Sequence, residues 1–175
     1  MTLALLRMED YAGAKKELVP LRKAAPANPA VETLACRLEF ASGEIKSALS
    51  CYEDALRKFP DYRALTHDYA NALLARGRAD VALKLVEGRL QGQADDHKLY
   101  LLQARAYAML GKRLAQHRAQ GEAYARMGNI TGAVEQMQLA VKSGDADFFA
   151  LSSTEARLRE LRKLNDELRR EGVKR

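Results

Sequence analysis

Residues 104–128 read ARAYAMLGKRLAQHRAQGEAYARMG. Inside this stretch AYAMLG at 106–111 returns as AYARMG at 123–128, 17 residues later. Elsewhere the chain repeats at twice that distance, for Gly43, Gly77 and Gly111 stand 34 apart. A fixed period of this length marks stacked supersecondary units that bury their apolar faces only against one another. Working outward from Gly111, units of 34 residues begin at 29, 63 and 97, and each places its glycine at position 15.

The frame collects matching residue types. The unit from 29 has Ala48 at position 20, Tyr52 at 24, Ala55 at 27 and Pro60 at 32. The unit from 63 has Tyr69 and Ala70 at 7 and 8, and Ala82 at 20. The unit from 97 has Ala104 at 8 and Tyr107 at 11. Extended backwards, the frame puts Tyr11 at 17, Ala14 at 20 and Pro26 at 32. Two antiparallel helices approach closely where Ala or Gly faces Ala, and a glycine at 15 permits the left-handed cap between them. Proline at 32 ends the second helix and opens the next unit.

This pattern resembles the tetratricopeptide repeat, with small residues at 8, 20 and 27, aromatics near 11 and 24, and a closing proline. Two departures stand out: no Trp occupies position 4, and Arg89 replaces the small residue at 27 in the unit from 63. The resemblance implies an all-α right-handed superhelix of antiparallel helix pairs. Residue 1 falls at position 7, inside a first helix. That start would expose an unpaired second helix, so the chain is expected to be a fragment with more protein upstream.

The half-period has its own meaning. The helix expected at 112–127 should close the unit from 97, yet it carries the marks of a first helix. In a frame from 114, Gly121 takes position 8, Tyr124 position 11 and Gly128 position 15. The next helix completes it with Ala133 at 20, Met137 at 24 and Ala140 at 27. One helix is therefore shared by two repeats. The organisation expected is a solenoid over 1–151: a partial repeat 1–28, repeats 29–62 and 63–96, then 97–113 plus the shared helix, and 114–147. A capping helix and tail follow over 152–175. There Ser152 and Glu155 form an S-x-x-E capping box ahead of a stripe of Leu158, Leu161, Leu164 and Leu168. Glu155–Arg159 and Asp166–Arg170 stand at supportive spacing on its other faces, and Phe148 and Phe149 are expected to plug the join. The leucine stripe is too short to argue for a coiled-coil arm.

The net charge of +6 is uneven: residues 1–96 balance 14 Lys/Arg against 14 Asp/Glu, while 97–175 hold 15 against 9. A basic half attracts acidic surfaces, although a solvated helical surface explains it too. Interleaved aromatics of a nucleic-acid stacking platform are missing. No apolar run is long enough to span a membrane, and residues 1–13 lack the features of a signal peptide. Cys36 and Cys51 are the only cysteines. They read as two small packed thiols, though on facing helices an oxidising compartment would join them.

Motifs for chemistry are absent: there is no H-E-x-x-H, no glycine-rich phosphate loop, no G-x-S-x-G and no metal-ligand cluster. No cofactor or metal is expected, and no catalytic residue. Asp95 and Asp96 read as a helix cap. In a tetratricopeptide array, positions 2, 5, 9, 12 and 13 of each first helix line a concave groove. The resemblance therefore implies a binding groove of Arg37 and Phe40, with Thr33, from the unit at 29. The unit at 63 adds His67, Asn71 and Leu74, and the unit at 97 adds Lys98, Arg105 and Met109, with Leu101. The shared helix adds Arg118 and Arg126, with Glu122. Arginine and asparagine there suit a peptide's backbone or carboxylates, with Phe40, Leu74 and Met109 as apolar contacts. The two-carboxylate clamp of chaperone-binding repeats is not reproduced, since Thr33, Asp68 and Leu102 break it.

The order of segments is narrower than the repeat alone. The half-spaced EAYARMGNITGAVEQMQLAV at 122–141 leads to GDADFFALSSTEARLRELR at 144–162. That order is similar to the C-terminal region of bacterial periplasmic zinc metallopeptidases of the beta-barrel assembly-enhancing protease type. The resemblance is clearest over 97–162. It implies a periplasmic location and an accessory role beside an upstream protease domain, in outer-membrane protein assembly or quality control. Implied partners are protein or extended peptide segments, the protease domain itself and assembly components. Nucleic acid and a membrane span are not expected. A free-standing scaffold of secretion or pilus assembly, and an enzyme fragment with unrecognised hydrolase activity, are the other readings.

Overall fold

The structure is a computed structural model and describes residues 9–145 and 147–173. Residues 1–8, where the partial first repeat begins, and 174–175 of the expected tail lie outside the described residues. Among those described, every regular element is an α-helix. They are α1 (Tyr11–Ala24), α2 (Pro29–Ala41), α3 (Ile45–Lys58), α4 (Arg63–Ala75), α5 (Ala79–Leu90), α6 (His97–Met109), α7 (Arg113–Arg126), α8 (Ile130–Val141) and α9 (Phe148–Val173). These helices form two compact units, α1–α4 and α5–α9, divided after Arg76.

The glycine ladder sets the turns. Gly43, Gly77, Gly111 and Gly128 all have positive φ, between 71° and 85°. After three of them the next amide reaches back five residues, Glu44 to Glu39, Lys112 to Tyr107 and Asn129 to Tyr124, at 2.9–3.0 Å. That bond closes the helix in a Schellman motif, which a residue with a Cβ occupies only under strain. Gly128 carries the same signature as Gly111, so the hexapeptide echo is a repeated helix stop.

In the first unit, Asn28 caps α2 through a 2.9 Å bond from the Ala30 amide, with Pro29 as its first residue. Helix α1 packs on α2 through Ala14, Leu18, Ala35 and Leu38, all buried. Tyr52 of α3 stacks on Tyr69 of α4 with ring centroids 5.5 Å apart, and the Tyr69 hydroxyl donates to Glu53. Cys36 and Cys51 are disulfide-bonded, with Cα atoms 5.4 Å apart, rather than being packed thiols. The reason is positional. Cys36 sits at position 8, where the first helix approaches the second most closely, and Cys51 immediately precedes the buried Tyr52 on the facing helix.

In the second unit each helix packs on its chain neighbours, and α9 also touches α7. Small residues make the contacts close. A Cβ on Gly121 of α7 would stand 3.2 Å from the Ala133 carbonyl oxygen of α8 and 3.1 Å from Met137 Cε. These are positions 8, 20 and 24 of the frame from 114, so α7 plays the first helix to α8. It also packs against α6, as the second helix of the preceding unit does. Helix α9 closes the unit over α8 through Val134, Met137, Leu158 and Leu161. Running the 34-residue frame once more, from 114 to 148, lands on its first residue.

The start of α9 differs from expectation. Ser152 is exposed inside the helix. The Asp147 side chain and carbonyl accept from the Ala150 and Leu151 amides instead, so the helix begins at Phe148. An aspartate one turn earlier satisfies the orphan amides first, and helix formation then proceeds through Ser152. Phe148 and Phe149 consequently fall on an outward first turn, 77% and 82% exposed, and plug nothing. Among the described residues the intrahelical ion pairs of α9 are Arg157–Glu160 and Lys163–Glu167, not the two pairs expected from spacing.

The disulfide and the α7–α8 seam each set a measurable stability. Cys36→Ser with Cys51→Ser removes a crosslink between residues 15 apart and lowers stability by about 3 kcal/mol. Denaturant unfolding with and without reductant measures it, and the reductant should leave the double variant unchanged. Gly121→Val overpacks the α7–α8 seam and costs about 1–3 kcal/mol. Gly88→Ala, at a helical site with nothing within 4 Å, stabilises by up to about 1 kcal/mol in the same assay.

Candidate functional site

In the first unit the expected groove residues are less available than their positions imply. Arg37 is half exposed and lies 3.4 Å from Asp68 across to α4, so its charge is already met. Burial pushes the Asp68 carboxyl above the usual range, while Arg37 and His67 oppose that shift. Leu74 is only 3% exposed and belongs to the core, which removes it as an apolar contact. Thr33 is buried and gives its hydroxyl to the Pro29 carbonyl. Phe40 and His67 are partly exposed, and Asn71 is exposed with its amide bonded to the His67 carbonyl.

The second unit presents more. Lys98 and Arg105 are exposed, and Met109 is 51% exposed at the end of α6. The Asp96 side chain accepts from the Lys98 amide at 3.0 Å, so it caps α6 as expected. Between α6, α7 and α9 lies an open groove of about 650 Å³. Tyr100, Gln103 and Tyr107 of α6 face it, as do Arg118, Glu122 and Arg126 of α7 and Ala150 and Arg157 of α9, with Leu90 and Leu114 at its apolar wall.

An ordered charge network organises this groove. Glu122 accepts from Arg126 at 2.6 Å and from Arg157 at 2.8 and 3.1 Å. Arg126 lies over the Tyr100 ring, 4.0 Å from its centroid, and donates to the Tyr100 hydroxyl at 2.8 Å and to the Ala94 carbonyl. Burial would push the Glu122 carboxyl up, but hydrogen bonds from Arg157 and Arg126 outweigh it and hold the carboxyl below the usual range. Arg118 donates to the Ser153 hydroxyl at 2.9 Å. Tyr107 gives its hydroxyl proton to Glu87 at 2.7 Å, and burial with that bond pushes its pKa up to about 12.

Of the residues expected to bind, Arg118, Glu122 and Arg126 of the shared helix come together in this groove. Lys98, Arg105 and Met109 are exposed in the same unit but do not line it. Tyr100, Gln103, Ser153 and Arg157 escaped the sequence reading. The 34-residue frame carried on to 148 makes α9 another wall instead of a solvating cap, but it puts Ser153 at position 6 and Arg157 at position 10, outside the pattern's groove positions.

Arg113 shows how the groove's middle helix is held. Lys112, ahead of α7, supplies no side-chain cap. The Asp145 carboxylate, from the loop before α9, accepts from the Arg113 and Leu114 amides instead, and the Arg113 guanidinium donates to the Ser143 carbonyl. The neighbouring Ser143 hydroxyl and the hydrogen bonds from these amides hold the Asp145 carboxyl below the usual range.

Among the described residues, no group of three or more His, Cys, Asp or Glu is placed to hold a metal ion. No described helix is long and apolar enough to cross a membrane. The groove offers charged donors for carboxylates and an apolar wall, which is the chemistry of binding.

The depressed Glu122 carboxyl makes the groove's order depend on pH. Because its folded pKa lies below the unfolded value, its contribution is complete above the ordinary carboxylate range. It is lost as pH falls through the lower folded pKa. Glu122→Gln should therefore destabilise the chain by about 1–3 kcal/mol near neutral pH. The difference should close once both proteins are acidified below that range, as urea titrations at several pH values would record.

Residues 39–106 match the family model of the tetratricopeptide repeat. No curated protein sequence matches the chain. Among solved structures it is similar to MamA of Desulfovibrio magneticus RS-1, from residue 41 to the end, at 16% identity and a TM-score of 0.61. That likeness covers 94% of this chain and 93% of the other. A thermophilic TPR protein of Thermus thermophilus is similar at 19% identity and a TM-score of 0.55, covering 91% and 94%. Such repeats are in general non-catalytic scaffolds that bind proteins or peptides. Residues 39–106 thus match the tetratricopeptide repeat, and the chain as a whole has an all-α helical-repeat fold similar to these solved structures.

Proposed function

We propose that this protein-binding scaffold is the accessory domain of a periplasmic zinc metallopeptidase, serving outer-membrane protein assembly or quality control. The observation that carries the scaffold role is the Arg-lined groove of the second unit, walled by α6, α7 and α9. Support for the narrower role comes from the segment order over 97–162. The Cys36–Cys51 disulfide suits an oxidising compartment, such as the bacterial periplasm, better than a reducing cytosol. In this reading the chain recruits substrates or assembly components to the protease and performs no chemistry itself.

The test is capture of partners from detergent-solubilised outer membranes with the tagged chain as bait. Components of the beta-barrel assembly machinery should be enriched over a bait of unrelated helical repeats. Arg118→Ala, which removes the groove cation outside the Glu122 network, should lower that capture about tenfold. Failure to enrich any assembly component removes the assembly role. Undiminished capture by this variant moves the contact surface elsewhere on the chain.

A further inference from the structure

We propose that the groove between α6, α7 and α9 is a receptor for an acidic peptide segment, with Arg118 as the cation that grips its carboxylate. The inference rests on the chain being a protein-binding module and names the chemistry of what one of its surfaces binds.

Charge decides the class of ligand. Three arginines face the groove, Arg118, Arg126 and Arg157, against a single lining carboxylate, Glu122. Glu122 is committed to Arg126 and Arg157. Arg118 stands apart from that network. Its guanidinium donates to the neutral Ser153 hydroxyl, and among the described residues no carboxylate lies within ion-pair distance of it. It is therefore oriented without being neutralised, and a guanidinium has five N–H donors to offer where this bond uses one.

Orientation without neutralisation is what a carboxylate receptor needs. A planar guanidinium held by one side can offer a fork of parallel N–H groups to an incoming carboxylate, with little entropic cost for finding the geometry. Leu90, Leu114 and Ala119 line the groove with apolar surface suited to the aliphatic stems and backbone of a peptide. Its volume falls within the roughly 300–1,000 Å³ of ordinary binding clefts, enough for a short segment. Ser153 belongs to α9, so that helix is a working wall of the receptor.

The probe is a fluorescein-labelled peptide carrying several glutamates, titrated with the full chain and followed by anisotropy. The same peptide with glutamines in their place is the comparison. The acidic peptide should bind and weaken as salt is raised, and the glutamine peptide should bind at least about tenfold more weakly. Arg118→Gln should weaken the acidic peptide about tenfold, as expected for loss of a charge-assisted bond. Lys163→Gln, the same charge change on an exposed part of α9, should leave it unaltered. Matching thermal melts for Arg118→Gln and the unaltered chain separate that loss from misfolding.

Equal binding of the two peptides, or equal losses for Arg118→Gln and Lys163→Gln, overturns the proposal. Displacement of the peptide by inorganic phosphate or succinate at the peptide's own concentration assigns the groove to a small anion and also overturns it. If no peptide binds while the chain still captures assembly components, this inference falls and the scaffold role stands.

Discussion

Helix α7 can lie against α8 at this distance because position 121 has no side chain. The Ala133 carbonyl and Met137 occupy the space a Cβ would press on, and Ala133 and Ala140 keep the facing helix equally lean. Close approach then fixes rotation. With Gly121 turned into the seam, Arg118, Glu122 and Arg126, which stand one turn apart along the same helix, face α6 and α9 across the groove. The packing of a small residue and the direction of three charges are one constraint seen from two sides.

Within the groove, a single carboxylate does the ordering. Glu122 joins Arg126 on its own helix to Arg157 on α9, and Tyr100 lies beneath the Arg126 guanidinium. Ion pairs at an open surface contribute little, because water and salt screen them and long side chains resist confinement. Here the carboxylate is mostly screened from solvent and receives several charged hydrogen bonds, so the arginines are held in fixed places. Arg118 carries positive charge that no carboxylate among the described residues engages, which distinguishes this surface from a generally basic helix face.

The helix stops were legible because glycine at positive φ is a local requirement, readable one residue at a time. Gly43, Gly77, Gly111 and Gly128 each announced a turn, and their unequal spacing announced the shared helix. The cap of α9 was misread for a related reason. Ser152 and Glu155 make a sound local motif, but Asp147 lies earlier and reaches the amides first. The disulfide and the ion pairs were harder. Whether Cys36 meets Cys51, or Arg37 meets Asp68, depends on helix rotation, which periodicity alone does not fix closely enough. Of the groove positions inherited from the repeat pattern, Leu74 is buried in the core, while Arg118 and Arg126 face the open groove of the second unit. The pattern gives a face, while burial depends on what packs above it.

The Asp145 carboxylate sits 31 residues beyond the Leu114 amide that it caps. On a ribosome, or emerging from a translocation channel, α7 is therefore synthesised well before the group that completes its first turn. Its amides at Arg113 and Leu114 wait on water until the loop ahead of α9 has appeared. Since the same loop leads directly into α9, the middle wall of the groove and its outer wall are finished in one late event. A nascent chain halted before Asp145 has every helix from α1 to α8 written into it, yet lacks the groove's outer wall.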